Sequence, residues 1–323
     1  MMIKLKLLLI LLIIIIVFDL IFFKDSYDYY PYDLVIPIKI MDSSKIIQQK
    51  NFLRQYIKFK KMIVIMPNKQ KCIYNSKSIV FIDENELVPI KNIIEIFLKL
   101  GITNLKRVGW YEQQFLKMAY SRICKDEFYL IWDSDTYPIK PVKMFKNGFP
   151  IFDMKTEHHL PYFITINRLF NNLTFVNHSY ISEHMLIKTE YMKKLLAEIE
   201  NNNNIHGKKF YEKILISINK KDIPHSGFSE FETYGLYVDN RYPYVYKHRN
   251  WYSRRDMSKY TENIYNLSQY DLKWLSKDYN ALTFEKYHKF DKRNHEMITN
   301  LKNQRKYTPK QLFQYIEKKS SYK

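Results

Sequence analysis

The sequence predicts an α/β fold built on a mixed, mainly parallel sheet flanked by helices. Three observations carry this. Apolar runs of strand length alternate with helix-like segments from residue 33 onward. The run Phe128–Trp132 is β-branched and aromatic, as expected of a buried strand. Pro138 and Pro141 then halt the chain, leaving Asp133 and Asp135 at the carboxyl end of that strand. In open α/β sheets ligands bind at such ends.

The first 24 residues carry a different signal. Lys4 and Lys6 precede an apolar run from Leu7 to Phe23, broken only by Asp19, at the short edge of what spans a bilayer. No small-residue cleavage pattern follows, so the expectation is an uncleaved anchor over residues 1–24, with the basic flank on the cytoplasmic side. The chain beyond it would be lumenal or extracytoplasmic, a single-pass type II arrangement. N-x-S/T sequons at Asn172, Asn177 and Asn266 are compatible with a glycoprotein there. Residues 25–32 read as a short stem, 33–255 as the catalytic domain, and 256–323 as a basic C-terminal helical extension that either packs on the core or stays peripheral.

Within 33–255 the elements follow in order. DLVIPIKI (33–40), KMIVIMP (61–67) and SIVFIDE (78–84) read as strands, each closed by a polar or turn signal. Residues 46–59 have the apolar spacing of an amphipathic helix, opened by Asp42, Ser43 or Ser44. Residues 90–101 form a helix closing on Gly101, and 110–123 a helix leading into the aspartate-bearing strand. Beyond it, 180–200 passes from a strand or turn into a long helix, 210–218 is helical, and 227–238 is a loop entering a helix.

Composition narrows the function. Lys and Arg exceed Asp and Glu by 52 to 33, a net +19 that suits an acidic or phosphorylated substrate, an anionic membrane or a nucleic acid. No zinc-ligand spacing, RNP-like motif or helix-turn-helix accompanies the charge, so no nucleic-acid role is expected. Two cysteines, Cys72 and Cys124, exclude a Cys-rich metal site and leave a single bridge open.

Asp133-x-Asp135 suits a hard divalent cation, Mn²⁺ or Mg²⁺, because two carboxylates leave coordination positions for phosphate oxygens and water. Such an ion neutralises a diphosphate leaving group as its charge develops. The competing reading is a pair of solvated turn aspartates. A haloacid-dehalogenase-type phosphatase would place Thr four positions after the first Asp. Here that position is Tyr137, with Thr136 one place early, and three strands precede the motif.

The segments DLVIPIKIMD, VFIDENELVP, GWYEQQFLKMAY, YLIWDSDTYPIKPV, SYISEHMLIKTEYMKKLLAEIE and GFSEFETYGLYV occur in this order over about residues 33–255. They resemble a largely uncharacterised family of predicted GT-A-type glycosyltransferases found in bacteria and giant viruses. The resemblance implies a GT-A-like (Rossmann-like) fold, a nucleotide-diphospho-sugar donor, and Asp133 and Asp135 bridging a metal to its diphosphate. It implies a glycan, protein or lipid acceptor whose hydroxyl receives the sugar.

Around that pair, Pro37 and Asp42 follow the first strand, where the nucleotide would lie. Asp42 reads equally well as a helix N-cap. Gln113, Gln114 and Lys117 sit at helical spacing, the last two on one face, and could reach the donor. Trp110 reads as core packing ahead of a stacking platform. Glu230 and Glu232 are candidates for the general base, with Glu230 preferred, although a first-turn carboxylate also suits a helix start. His184 is a further candidate, or a satisfied structural histidine. His248 is a candidate third metal ligand. Arg249, Arg254 and Arg255 could fork onto the diphosphate, or form a solvated basic face. Two rivals remain: a phosphohydrolase or nucleotidyltransferase on the same acids, and a non-catalytic, membrane-anchored glycan-binding protein.

Overall fold

A computed structural model describes residues 32–39, 43–67, 77–170 and 172–321 of the 323-residue chain. The anchor, all of the stem but Tyr32, Asp42 and Cys72 lie outside the described residues. Among the described residues no helix is long and apolar enough to cross a membrane.

Five strands form the central sheet: β1 (Asp33–Pro37), β2 (Met62–Met66), β3 (Ile79–Asp83), β4 (Phe128–Trp132) and β8 (His184–Lys188), in the order β3-β2-β1-β4-β8. The first four run parallel and β8 is antiparallel to β4, so the sheet is mixed and mainly parallel. β1, β2 and β4 are buried along their whole length, which explains their unbroken apolar runs: both sheet faces are covered. One apolar core packs Tyr111, Phe115 and Tyr129 against Ile214 and Tyr234. A second, across the sheet, packs Leu53 and Trp132 against Phe145 and Trp251.

The helices follow the predicted pattern with shifted ends. Ser43–Leu53 stops sooner than its apolar spacing suggests, Ile90–Lys99 ends with Gly101 at φ +72°, and Val108–Ala119 begins two residues before Trp110. Leu160–Leu169, Thr189–Asn201, Phe210–Ser217 and Glu230–Arg241 complete this layer.

Two small sheets were not foreseen. β6 (Phe145–Lys146), β7 (Phe149–Met154) and β9 (Lys247–Asn250) form one. β5 (Thr136–Pro138) joins β10 (Ser253–Arg254) and β11 (Ala281–Thr283) in the other. The second decides how residues 256–321 sit. β11 pairs with the strand that leaves the aspartate pair, the Phe284 N–H donates to the Asp135 carbonyl at 2.9 Å, and the Thr136 and Thr283 hydroxyls meet at 2.8 Å. Its apolar residues, including Leu282, Phe284 and Phe313, form a third core reaching Phe52 and Ile139. The C-terminal segment is thus a packed part of the core.

Candidate active site

β2 and β3 step away from β1 in one direction, whereas β4 lies on the other side of it. The strand order reverses between β1 and β4, and the crevice at their carboxyl ends is where such sheets bind ligands. Pro37 ends β1 there, and Asp133 and Asp135 follow β4.

The Asp133 N–H donates to the carbonyl of Glu183 at 2.9 Å, tying the start of the turn to the residue before β8. Glu183 has φ +63°, an uncommon left-handed value for a side-chain-bearing residue, and its buried carboxylate takes Lys155 at 2.6 Å and the Ser253 hydroxyl at 2.8 Å. Burial, reinforced by the neighbouring Asp133 and Glu285 carboxylates, pushes the Asp135 carboxyl up to about 7. The two acids that act on Asp135 are each already paired with a cation, Asp133 with Lys117 and Glu285 with Arg255, and carboxylate oxygens of this kind suit a hard divalent cation.

Lys117 occupies the centre of the neighbouring wall. Its ammonium lies 2.5 Å from Asp133 Oδ1 and 2.7 Å from Glu230 Oε1, buried with Phe231 beneath it. Burial alone would depress the Lys117 pKa, but the two carboxylates outweigh it and the net shift is upward. Burial raises the Glu230 carboxyl, opposed by Lys117. Glu230 opens the helix Glu230–Arg241, where Ser229 is the N-cap and Gln114 Oε1 accepts the Glu230 N–H at 3.1 Å. Gly227 sets this entry. Its carbonyl takes the Thr165 hydroxyl at 2.7 Å, and a Cβ there would fall 2.2 Å from Ile218.

Lys117, Asp133 and Glu230 line a pocket of about 120 Å³ with Trp110, Gln113, Gln114 and Arg255. Trp110 is half-buried, edge-on to Tyr111 at 4.8 Å, so it is both packing and pocket wall. Larger clefts lie elsewhere. One of about 490 Å³ lies by Leu169 and Arg241, away from the acidic pair. A groove of about 880 Å³ is lined by Lys140, Lys155, Trp251, Ser253, Lys277 and Lys310. Chemistry rather than size picks the small pocket: it alone of these gathers Asp133, Lys117 and Glu230.

Several sequence-predicted residues are engaged elsewhere. His184 is 1% exposed, between Trp132 and Trp251. One ring nitrogen faces the Ser182 carbonyl at 2.8 Å and the other Asp153 at 2.9 Å, so it is a satisfied core histidine. Arg249 forks onto the same Asp153 at 2.7 and 2.6 Å and is not free for a diphosphate. Burial would raise the Asp153 carboxyl, but hydrogen bonds from His184 and Arg249 hold it below the usual range. Arg254 pairs with Asp256 and Glu317, leaving Arg255 as the arginine of the three that lines the pocket. His248 meets Asp239 at 2.8 Å, not the Asp133–Asp135 pair. Glu232 is buried and bonded to the Ser179 hydroxyl, its carboxyl pushed by burial up to about 7. Glu183 and Glu285 were missed. The only sequence signal for them was their acidity within the stretches flanking β8 and β11.

A family model described as a family of unknown function, DUF6492, matches residues 33–322. No curated protein shows significant similarity to the chain. Among solved structures, a galactosyltransferase, LgtC, crystallised with donor and acceptor sugar analogs, is similar at a TM-score of 0.35 and 10% identity, over 78% of this chain and 86% of that one. A likeness that slight assigns neither fold nor activity. The family match spans nearly the whole described chain, from the first residue of β1 to the C-terminal helix, and the chain belongs to the DUF6492 family, whose function is unknown.

Proposed function

We propose that the protein is a metal-dependent glycosyltransferase, moving a sugar from a nucleotide-diphospho-sugar to an acceptor hydroxyl. One observation supports it above the rest: a buried lysine joins the aspartate of D-x-D to the first glutamate of G-F-S-E-F-E at the switch point of the sheet. The reading includes the anchored, extracytoplasmic setting that residues 1–24 suggest.

In this reading Asp133 and Asp135 hold Mn²⁺ or Mg²⁺, with Glu285 beside them. Bound there, the ion would offset the charge that develops on a departing diphosphate. Arg255 is the more exposed pocket cation and would turn to the phosphates, while Lys117, buried between Asp133 and Glu230, holds those two acids in place. Gln113 and the edge of Trp110 line the donor's path, and Gln114 positions Glu230 through its backbone. Glu230 is the preferred proton acceptor for the incoming hydroxyl, since its carboxylate lines the pocket beside Asp133. The small pocket is below the roughly 300 Å³ that encloses a drug-sized ligand, so most of the donor would lie outside it, toward Pro37.

The test is a thermal-shift panel of nucleotide sugars with and without Mn²⁺, followed by detection of transfer to glycan, lipid or peptide acceptors. One nucleotide sugar stabilising the protein only with metal supports the reading. Release of inorganic phosphate without transfer would replace it with a phosphohydrolase, and stabilisation by glycans alone with a non-catalytic binder.

A further inference from the structure

At the far end of the helix that begins with Glu230, a second set of ligand-type side chains converges. Asp239 lies nine residues along Glu230–Arg241, roughly 13 Å from Glu230 at 1.5 Å per residue. His248 of β9 places Nε2 2.8 Å from Asp239 Oδ2. His178, in the loop before the Lys155–Ser179 bridge, completes a trio whose ligand atoms all lie within 4.8 Å of one another.

We propose that His178, Asp239 and His248 form a divalent transition-metal site, of the kind that takes Zn²⁺, separate from the Asp133–Asp135 pair. The donor set differs from that pair. Two imidazole nitrogens and one carboxylate suit zinc, whereas carboxylates alone suit Mg²⁺ or Mn²⁺. The site does not depend on the glycosyltransferase reading.

Two features mark the trio as more than an ion pair. His178 Nε2 is buried and has no hydrogen-bond partner, a cost that a bound cation would remove. The Tyr180 hydroxyl donates to Asp239 Oδ2 at 2.5 Å, orienting the carboxylate as outer partners of metal ligands do.

Each ligand is also carried on a braced element. Phe152 pairs with His248 across β7 and β9, and Asn240 clamps both backbone groups of Thr174 at 2.7 and 3.0 Å, pinning the loop that leads to His178. Gly235 gives Tyr180 its seat: a Cβ there would lie 2.2 Å from the tyrosine ring. Tetrahedral zinc sets its ligand atoms about 3.4 Å apart, so side-chain rotations on the order of an ångström would close the trio. Three protein ligands leave a fourth position, and His248, 35% exposed, opens that side to solvent.

The experiment uses the full chain in detergent, stripped with chelator, dialysed and titrated with Zn²⁺ by calorimetry. One zinc per chain is expected, with affinity falling at least about tenfold in His178→Gln and in His248→Gln. Asp133→Asn should leave zinc affinity unchanged, and a tetrahedral Co²⁺ absorption band should fail to form in His178→Gln. Absence of stoichiometric binding overturns the proposal, as does wild-type affinity in both histidine variants. If a histidine variant fails to fold, Asp239→Asn with the same titration decides.

Discussion

Lys117 Nζ stands 2.7 Å from Glu230 Oε1, and both side chains are withdrawn from water. The contact joins residues 113 apart in sequence, and Asp133 occupies the other side of the ammonium. Removing one member of a buried ion pair strands its partner. Lys117→Met is therefore expected to lose about 3 kcal/mol in urea denaturation, and Lys117→Met with Glu230→Gln to recover part of that. A double variant no more stable than the single one would show that the charges are not coupled.

The two arginines should separate stability from function. Arg249 neutralises Asp153, whose side chain is 2% exposed, so Arg249→Leu leaves a buried carboxylate with only His184 beside it. A loss of about 3 kcal/mol is expected, with metal-dependent donor binding kept wherever the protein is folded. Arg255, half-exposed but paired with the buried Glu183 and Glu285, should differ in function rather than in stability. Arg255→Gln should also cost stability, on the order of 2 kcal/mol, but unlike Arg249→Leu it should weaken donor binding severalfold, read by the same thermal-shift panel. Equal effects of the two variants on donor binding would remove the distinction.

Glu112 predicts a pH dependence. It is 3% exposed with Oε1 unpartnered, and burial, then the Glu84 carboxylate, pushes its carboxyl up to about 8 against Lys39. A folded pKa above the unfolded one means the folded state binds the proton more tightly. That stability is full below about pH 4.5 and is lost as pH rises through 8. Glu112→Gln is neutral throughout, so its advantage over wild type should grow by about 4 kcal/mol between pH 5 and 9. A gap that does not change with pH would mean that Glu112 stays solvated.

The fold was legible where residue type and local period decide it. The runs in β1, β2 and β4 could be read because strands buried on both faces are continuously apolar, and the helix Glu230–Arg241 because its first-turn glutamates suit a helix start. The aspartate pair was found by its place after such a strand. What sequence spacing cannot express is who meets whom across the sheet. Arg249 and His248 alternate on β9, so one faces Asp153 and the other Asp239, a division fixed only once β9 pairs with β7. The same holds for β11, three residues long, whose pairing with β5 brings Glu285 beside Asp135.

Asp135 offers a test in which stability and binding move in opposite directions. Its carboxyl, raised to about 7 by burial and by Asp133, is charged at pH 8 against the environment's preference. Without metal, Asp135→Asn should then be more stable than wild type by about 1–2 kcal/mol at pH 8, with the advantage shrinking toward pH 5 as the aspartate takes up its proton. With Mn²⁺ and a nucleotide sugar the order should reverse, because only wild type can convert the repulsion between the two aspartates into coordination. A thermal-shift series at both pH values, with and without Mn²⁺, reads all four states. An Asp135→Asn protein that still gains stability from Mn²⁺ as wild type does would take these acids out of the metal site, whatever its activity.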